Sequence, residues 1–293
     1  MSPSEASLRD ELYRHVEVLS VEIGERNTLL HTQLKTAADY IHRELEAAGL
    51  IVTRQPFEAG GKTCENIVGE ITGDRRAEEI LVVGGHYDGV YGCPAANDNA
   101  TGVAAMLALA RRIANTQPAR TLRFIGFVNE EPPFFQTEQM GSLVYARSCK
   151  QKGEMIVGML SLETMGYYTD EPKSQHYPFP FGLLYPSTGN FIAFIGNTRS
   201  GPFIRDVVGR FRSNCAFPSE GAGLPGFIEG VGWSDHWSFW QEGYAALMVT
   251  DTAPYRYAHY HSPEDTIDKL DFERFAKVTA GLEKVIAELA EIR

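Results

Sequence analysis

Residues suited to holding a metal ion recur along this chain, each just after an apolar run. Gly84-Gly85-His86-Tyr87-Asp88 follows the run at 80–83, and Asn97-Asp98-Asn99-Ala100-Thr101-Gly102 comes shortly after it. Asn129-Glu130-Glu131-Pro132 closes the run at 121–128, Glu163 closes 155–162, and His261 follows 245–250. Taken singly these are ordinary: His-x-Asp is commonly a hydrogen-bonded pair, Glu-Glu a solvated loop, and Asn-Asp-Asn a turn. Their shared position gives them meaning, because the carboxyl ends of strands in an open α/β sheet are where ligands bind. Two histidines and four carboxylates, His86, Asp98, Glu130, Glu131, Glu163 and His261, can therefore converge. Mixed nitrogen and oxygen donors suit zinc, with manganese or cobalt as replacements. Six groups exceed the needs of one tetrahedral ion. Two ions sharing a carboxylate, with one carboxylate left as a base, use them all.

The elements that must position these groups are legible from periodicity. Helical spacing predicts helices over 5–20, behind a Ser4 cap, and over 32–48, with Gly49 as the stop. Strands are expected at 50–57 and 63–71, turned by Gly60-Gly61. A strand at 80–83 is expected to end at the Gly84-Gly85 pair. A helix buried on most sides over 101–114, a strand at 121–128, a helix at 140–150 and a strand at 155–162 follow. Further on come a strand at 191–195, a helix at 201–211, a strand at 245–250 and a last helix from Asp271. Residues 167–190 and 216–233 read as long irregular stretches, and loops of that length inside a domain are usually functional. The alternation of strands and helices implies a three-layer α/β/α sandwich about a central mixed, mainly parallel sheet. Neither a composition break nor a repeat divides the chain, so one domain is expected over residues 1–293.

Bulk properties exclude several classes of function. A chain with 43% hydrophobic and 22% charged residues is a folded globular one, not a disordered one. A net charge of −11 argues against nucleic acid or an anionic membrane as partner. No apolar run approaches the ~18 residues of a membrane span. The first residues lack the basic and apolar regions of a signal peptide, which leads to an expectation of a cytoplasmic protein. Cys64, Cys93, Cys149 and Cys215 form no C-x-x-C pair, so they read as free thiols.

Together, Gly-Gly-His-Tyr-Asp, Asn-Asp-Asn-Ala-Thr-Gly, Asn-Glu-Glu, Ser-Asp-His and Tyr-His-Ser-Pro-Glu-Asp-Thr resemble the signatures of the di-zinc aminopeptidases. These are exopeptidases of clan MH, related to glutamate carboxypeptidase and glutaminyl cyclase. The motifs run in order from residue 84 to 266, over half of the chain. The resemblance implies a zinc exopeptidase fold with two zinc ions and Asp98 bridging them. His86 and Glu163 would complete one site, Glu131 and His261 the other. Glu130 would be the general base acting on a bridging water, and Asp88 would orient His86. Asp235, in Ser234-Asp235-His236, would support the site by hydrogen bonding or lie near the substrate, and Tyr255 would lie near the substrate carbonyl, with Tyr257 and Tyr260 as neighbours that could take its place. The family's frequent cis peptide after the bridging aspartate would fall at Asp98–Asn99. Glu163 stands where the family commonly has aspartate.

The implied activity is removal of N-terminal residues from a peptide with a free amine, the loops at 132–140, 167–190 and 216–233 framing the residue pocket. Glutaminyl cyclisation on a single-zinc version of the site, carboxypeptidase action, and a non-catalytic binding protein of the same fold are the alternatives. The oligomeric state is not specified by these features.

Overall fold

The computed structural model describes residues 2–293. Its strands are β1 (Ile51–Ala59), β2 (Lys62–Ile71), β3 (Arg76–His86), β4 (Arg120–Phe127), β5 (Met155–Glu163), β6 (Ile192–Asn197), β7 (Ser219–Leu224) and β8 (Ala246–Thr250). They form one sheet in the order β1-β2-β4-β3-β5-β8-β6-β7. The four apolar runs become its parallel centre, β4-β3-β5-β8. The β1–β2 hairpin adds antiparallel on β4, while β6 adds antiparallel on β8 and carries β7 parallel to itself. The sheet is mixed and mainly parallel, as the sequence implies.

The helices are α1 (Pro3–Glu17), α2 (His31–Ala47), α3 (Gly102–Ile113), α4 (Gly141–Lys152), α5 (Gly201–Asn214), α6 (His236–Gln241) and α7 (Phe272–Leu289). Strand alternation sends Leu81, Val83, Leu122, Phe124, Leu160, Leu162, Leu247 and Val249 to one face, under α1, α2, α3, α5 and α7. Ile80, Val82, Ile125, Phe127 and Met159 go to the other, against Tyr145 and Cys149 of α4 and Phe239 of α6. This makes three layers of unequal thickness. On the α4–α6 side, α6 packs on the start of β8 at Ala246, and the rest of β8 with β6 and β7 is covered by loops.

Three local expectations are corrected. The Gly84-Gly85 pair does not end β3, which continues through His86. The pair is there for close approach: a Cβ on Gly84 would stand 2.6 Å from the Phe127 ring, and one on Gly85 2.8 Å from the Leu162 carbonyl oxygen. The first helix is capped by Ser2, not Ser4, through a reciprocal capping box with Glu5. Residues 216–233 are not wholly irregular, for they contain β7. Its Gly221 backs onto Val208 of α5, where a Cβ would stand 2.9 Å from the Val208 Cγ2. Close helix packing thus explains glycines that hide the strand pattern. The short α6 also went without a periodic signal, being only six residues long.

Candidate metal centre

Gly84 of β3 pairs with Ser161 of β5. Two residues further along each strand stand His86 and Glu163, level with each other and on the same face. The His86 Nε2 lies 3.3 Å from the Glu163 Oε2 and 3.2 Å from the Asp98 Oδ1. On the far side, the His261 Nε2 lies 3.0 Å from the Asp98 Oδ2 and 3.3 Å from the Glu131 Oε2. Each oxygen of Asp98 therefore faces a different histidine. Glu130 is set back, its Oε2 3.9 Å from the His86 Nε2.

Backbone clamps aim these groups. The His86 Nδ1 donates to the main-chain carbonyl oxygen of Asp88 at 3.1 Å, which leaves the Nε2 lone pair free toward Asp98 and Glu163. The Asp88 carboxylate, 3.6 Å from that ring, instead accepts from the backbone N–H groups of Glu130 and Glu131 at 3.2 Å each. Asp88 thus orients His86 through its main chain and the two glutamates through its side chain. Asp265 does the same for the Asp98 segment, accepting from the N–H of Asn97 at 2.9 Å and of Asp98 at 3.1 Å, and from the Tyr257 hydroxyl. Asn99 accepts from the N–H groups of Gly102 and Thr164 and donates to the Leu162 carbonyl, tying this loop to β5. The Asp98–Asn99 peptide is cis.

Several of these positions carry no expectation from sequence. Ser234 donates to the Glu163 Oε2 at 2.7 Å, although only its neighbour Asp235 is singled out in the motif. Asp265 lies within Tyr-His-Ser-Pro-Glu-Asp-Thr, and its place four residues after His261 is a usable signal. Arg26 has none. It is fully buried beneath the site and donates to the carbonyls of Tyr87, Pro94 and Ala95. Burial lowers its pKa to about 10, against the pull of Asp88 and Asp265.

Asp235 is fully buried and does not line the cleft, so it stands behind the site and not beside a substrate. Burial raises it to about 7, with His86 opposing. Tyr255 lines the cleft and donates to the Glu229 carbonyl at 3.2 Å. Tyr257 is committed to Asp265, and Tyr260 stacks on the His261 ring at 3.9 Å between centroids. That cleft opens from Glu163 and Tyr260 across the loop-covered part of the sheet. Residues from 175–185 and 228–233 frame it, whereas the expected contribution of 132–140 is absent from its lining.

The electrostatics fit a cation. Burial pushes Glu131 and Glu163 to about 7, with Asp98 adding repulsion and the histidines opposing it. Burial likewise holds Glu130 well above the usual range, His86 opposing and Glu131 and Glu163 adding. Burial resists charge on Asp98, yet the facing His261 and His86 rings outweigh it and keep this carboxyl below the usual aspartate range. Burial opposes charge on His261 too, but Asp98 and Glu131 lift it to about 11. The Asp98 Oδ1 and the Glu131 Oε1 are buried without a hydrogen-bond partner. Orphaned carboxylate oxygens facing imidazole nitrogens match the donor set of a zinc site. The sets His86–Asp98–Glu163 and Asp98–Glu131–His261 each bring three ligand atoms within 4.8 Å of one another.

Comparison with known sequences identifies the family. Residues 66–286 match the description "Peptidase family M28". The chain belongs to that family. Membership makes this M28 chain a zinc-dependent hydrolase of the peptidase class. Protein YfbL of Escherichia coli (strain K12) is 34% identical over 282 residues, covering 93% of this chain and 86% of its own. "Probable leucine aminopeptidase 1" of Trichophyton verrucosum is 26% identical over 279 residues, 88% of this chain and 68% of its own. Among solved structures, the zinc aminopeptidase BSAP from Bacillus subtilis superposes with a TM-score of 0.75 at 16% identity, covering 96% of this chain and 95% of that one. A glutaminyl cyclase from Bacteroides thetaiotaomicron gives 0.73 at 18%, covering 95% and 97%. At such identities the two structures speak to the fold, and they place the M28 chain in the zinc exopeptidase fold. No helix among the described residues is long and apolar enough to cross a membrane.

Proposed function

We propose that the chain, as a single catalytic domain over residues 1–293, is an aminopeptidase that uses two zinc ions. The observation that carries this reading is Asp98, with one oxygen toward His86 and the other toward His261. His86, Asp98 and Glu163 would hold one ion, and Asp98, Glu131 and His261 the other; manganese or cobalt are compatible with the same donors. Bound there, the ions would polarise the scissile carbonyl and provide a nucleophile at neutral pH.

The chain's own groups supply the rest. Glu130 is the carboxylate left over, and its Oε2 would take the proton of the attacking water and return it to the leaving amine. Ser234, donating to the Glu163 Oε2, would fix which oxygen of Glu163 faces the ion. Asp88 and Asp265 would hold the ligand-bearing backbone so that little reorganisation accompanies the reaction. A peptide would enter with its free amine at Glu163 and its first side chain along the adjoining cleft.

The test is a metal count per chain on purified protein, alongside leucyl, glutaminyl and N-acetylated peptides. Two ions, cleavage of the leucyl peptide and no cleavage of the blocked one are expected. A second reading, glutaminyl cyclisation, draws on the likeness of fold to a glutaminyl cyclase. One ion per chain, with pyroglutamyl product and an intact leucyl peptide, would replace the first reading with the second.

A further inference from the structure

The cleft beside the metal centre has a carboxylate at its far end as well. Glu163 of β5 pairs with Thr250 of β8, Thr250 with Ala193 of β6, and Ala193 with Glu220 of β7. These four residues form one row across the sheet, and all of them line the cleft. Three strand spacings separate its ends, ~14 Å between the Cα atoms of Glu163 and Glu220. The two middle residues are small, so the row is a trough with an acid at each end. In the next row Met248, Ile195 and Ala222 continue an apolar floor.

Charge along this trough has one sign. The lining includes Glu163, Glu220 and Glu229, and among the described residues no lysine, arginine or histidine belongs to it. Two arginines stand behind it. Arg256 donates to Gln175 and to the carbonyls of Gly189 and Phe191, with its Nη2 buried and unpartnered. Arg212 is bonded to Ser219 and its Nη2 lies 3.7 Å from the Glu220 Oε2, beyond a hydrogen bond. Among the described residues no donor reaches the Glu220 carboxylate within hydrogen-bond distance, and its side chain is partly open.

From this arrangement we infer that the cleft selects an N-terminal lysine or arginine, whose cationic head meets Glu220. The inference rests on the aminopeptidase reading above. A long side chain lays its methylene stem on Ala193 and Thr250 and carries its charge to the far acid. An apolar residue of equal length would desolvate Glu220 with only the Arg212 guanidinium at 3.7 Å to offset it, and an acidic one would meet the like charges of Glu220 and Glu229.

The test compares zinc-loaded wild type with Glu220→Gln and Glu220→Asp, on anilides of arginine, lysine, norleucine and glutamate. Arginine and lysine should lead in the wild type. The ratio of kcat/KM for arginine over norleucine should fall by about 10–100-fold in Glu220→Gln and be partly kept in Glu220→Asp. A loss that is merely structural lowers both substrates alike and leaves that ratio unchanged, which would overturn the assignment. Calorimetric titration of the same zinc-loaded proteins with argininamide and norleucinamide reads the cleft without turnover. Argininamide binding that weakens about 10–100-fold in Glu220→Gln, with no anilide cleaved, would uphold the cleft and sink the aminopeptidase reading. Binding indifferent to the substitution would sink the cleft itself.

Discussion

Asp98 is the one carboxylate that faces both histidines, and its two oxygens are 3.2 and 3.0 Å from them. Losing it should therefore differ in kind from losing a ligand that serves one side. Asp98→Asn should leave the purified protein with almost no bound zinc. His86→Ala should retain about one ion per chain on Asp98, Glu131 and His261, a three-ligand set with an open position. Metal analysis of the two variants checks this, and equal losses would argue against a shared ligand. Glu130 is the complementary case, close to the site yet outside both ligand triads formed around Asp98. Glu130→Gln should keep its metal while turnover of an N-terminal substrate falls by ~10²–10⁴-fold, the range expected for general acid–base catalysis. Near-normal turnover in that variant would remove Glu130 as the base.

His86 and Glu163 end strands, whereas Asp98, Glu130 and Glu131 stand on connecting segments that are held by acids bonding to backbone. Asp265 accepts the N–H groups of Asn97 and Asp98, and Asp88 those of Glu130 and Glu131. Asp265→Ala would orphan two buried donors and free the Tyr257 hydroxyl, at roughly 1–3 kcal/mol for each donor left unsatisfied. Denaturant midpoints of the chelated protein should fall accordingly, and zinc affinity should drop with them, because the same bonds hold Asp98 in place. A variant with unchanged affinity would show that the loop keeps its shape without the clamp.

For the molecule as a whole, one buried histidine couples stability to pH outside the metal centre. His236, fully buried, gives its Nε2 proton to the Val231 carbonyl at 2.8 Å. Burial lowers its pKa from 6.5 to about 4, against hydrogen bonds to the Val231 and Ser234 backbone. Between those values the unfolded chain binds a proton that the folded chain refuses. The contribution is therefore complete above about pH 6.5 and is lost as pH falls toward 4. Urea midpoints between pH 4 and 7 should decline less steeply in His236→Gln than in the wild type, and parallel profiles would exclude this histidine as a source of acid sensitivity. The uneven layering of the fold acts over the same distance. Helices cover one face of the sheet along its length, while β6, β7 and the end of β8 keep their other face for the cleft that ends at Glu220.

By itself the amino-acid sequence determined which residues could hold metal, because chemistry-bearing types stand at the ends of apolar runs. It also determined the strand–helix alternation, because periods of 2 and 3.6 survive in burial patterns. Local form was lost where packing, not periodicity, chose the residue. Gly84 and Gly85 look like a stop but lie inside β3, since Phe127 and the Leu162 carbonyl leave no room for a Cβ. Glycines against α5 hid β7 for the same reason. Only the tertiary structure decided that Asp88 grips the backbone of two glutamates, that Arg26 lies buried beneath the ligands, and that Asp235 sits behind the site. Those are contacts between residues as much as 69 positions apart, set by which strands become neighbours. The row from Glu163 to Glu220 is of the same kind: its four members come from four strands, and sheet order alone aligns them.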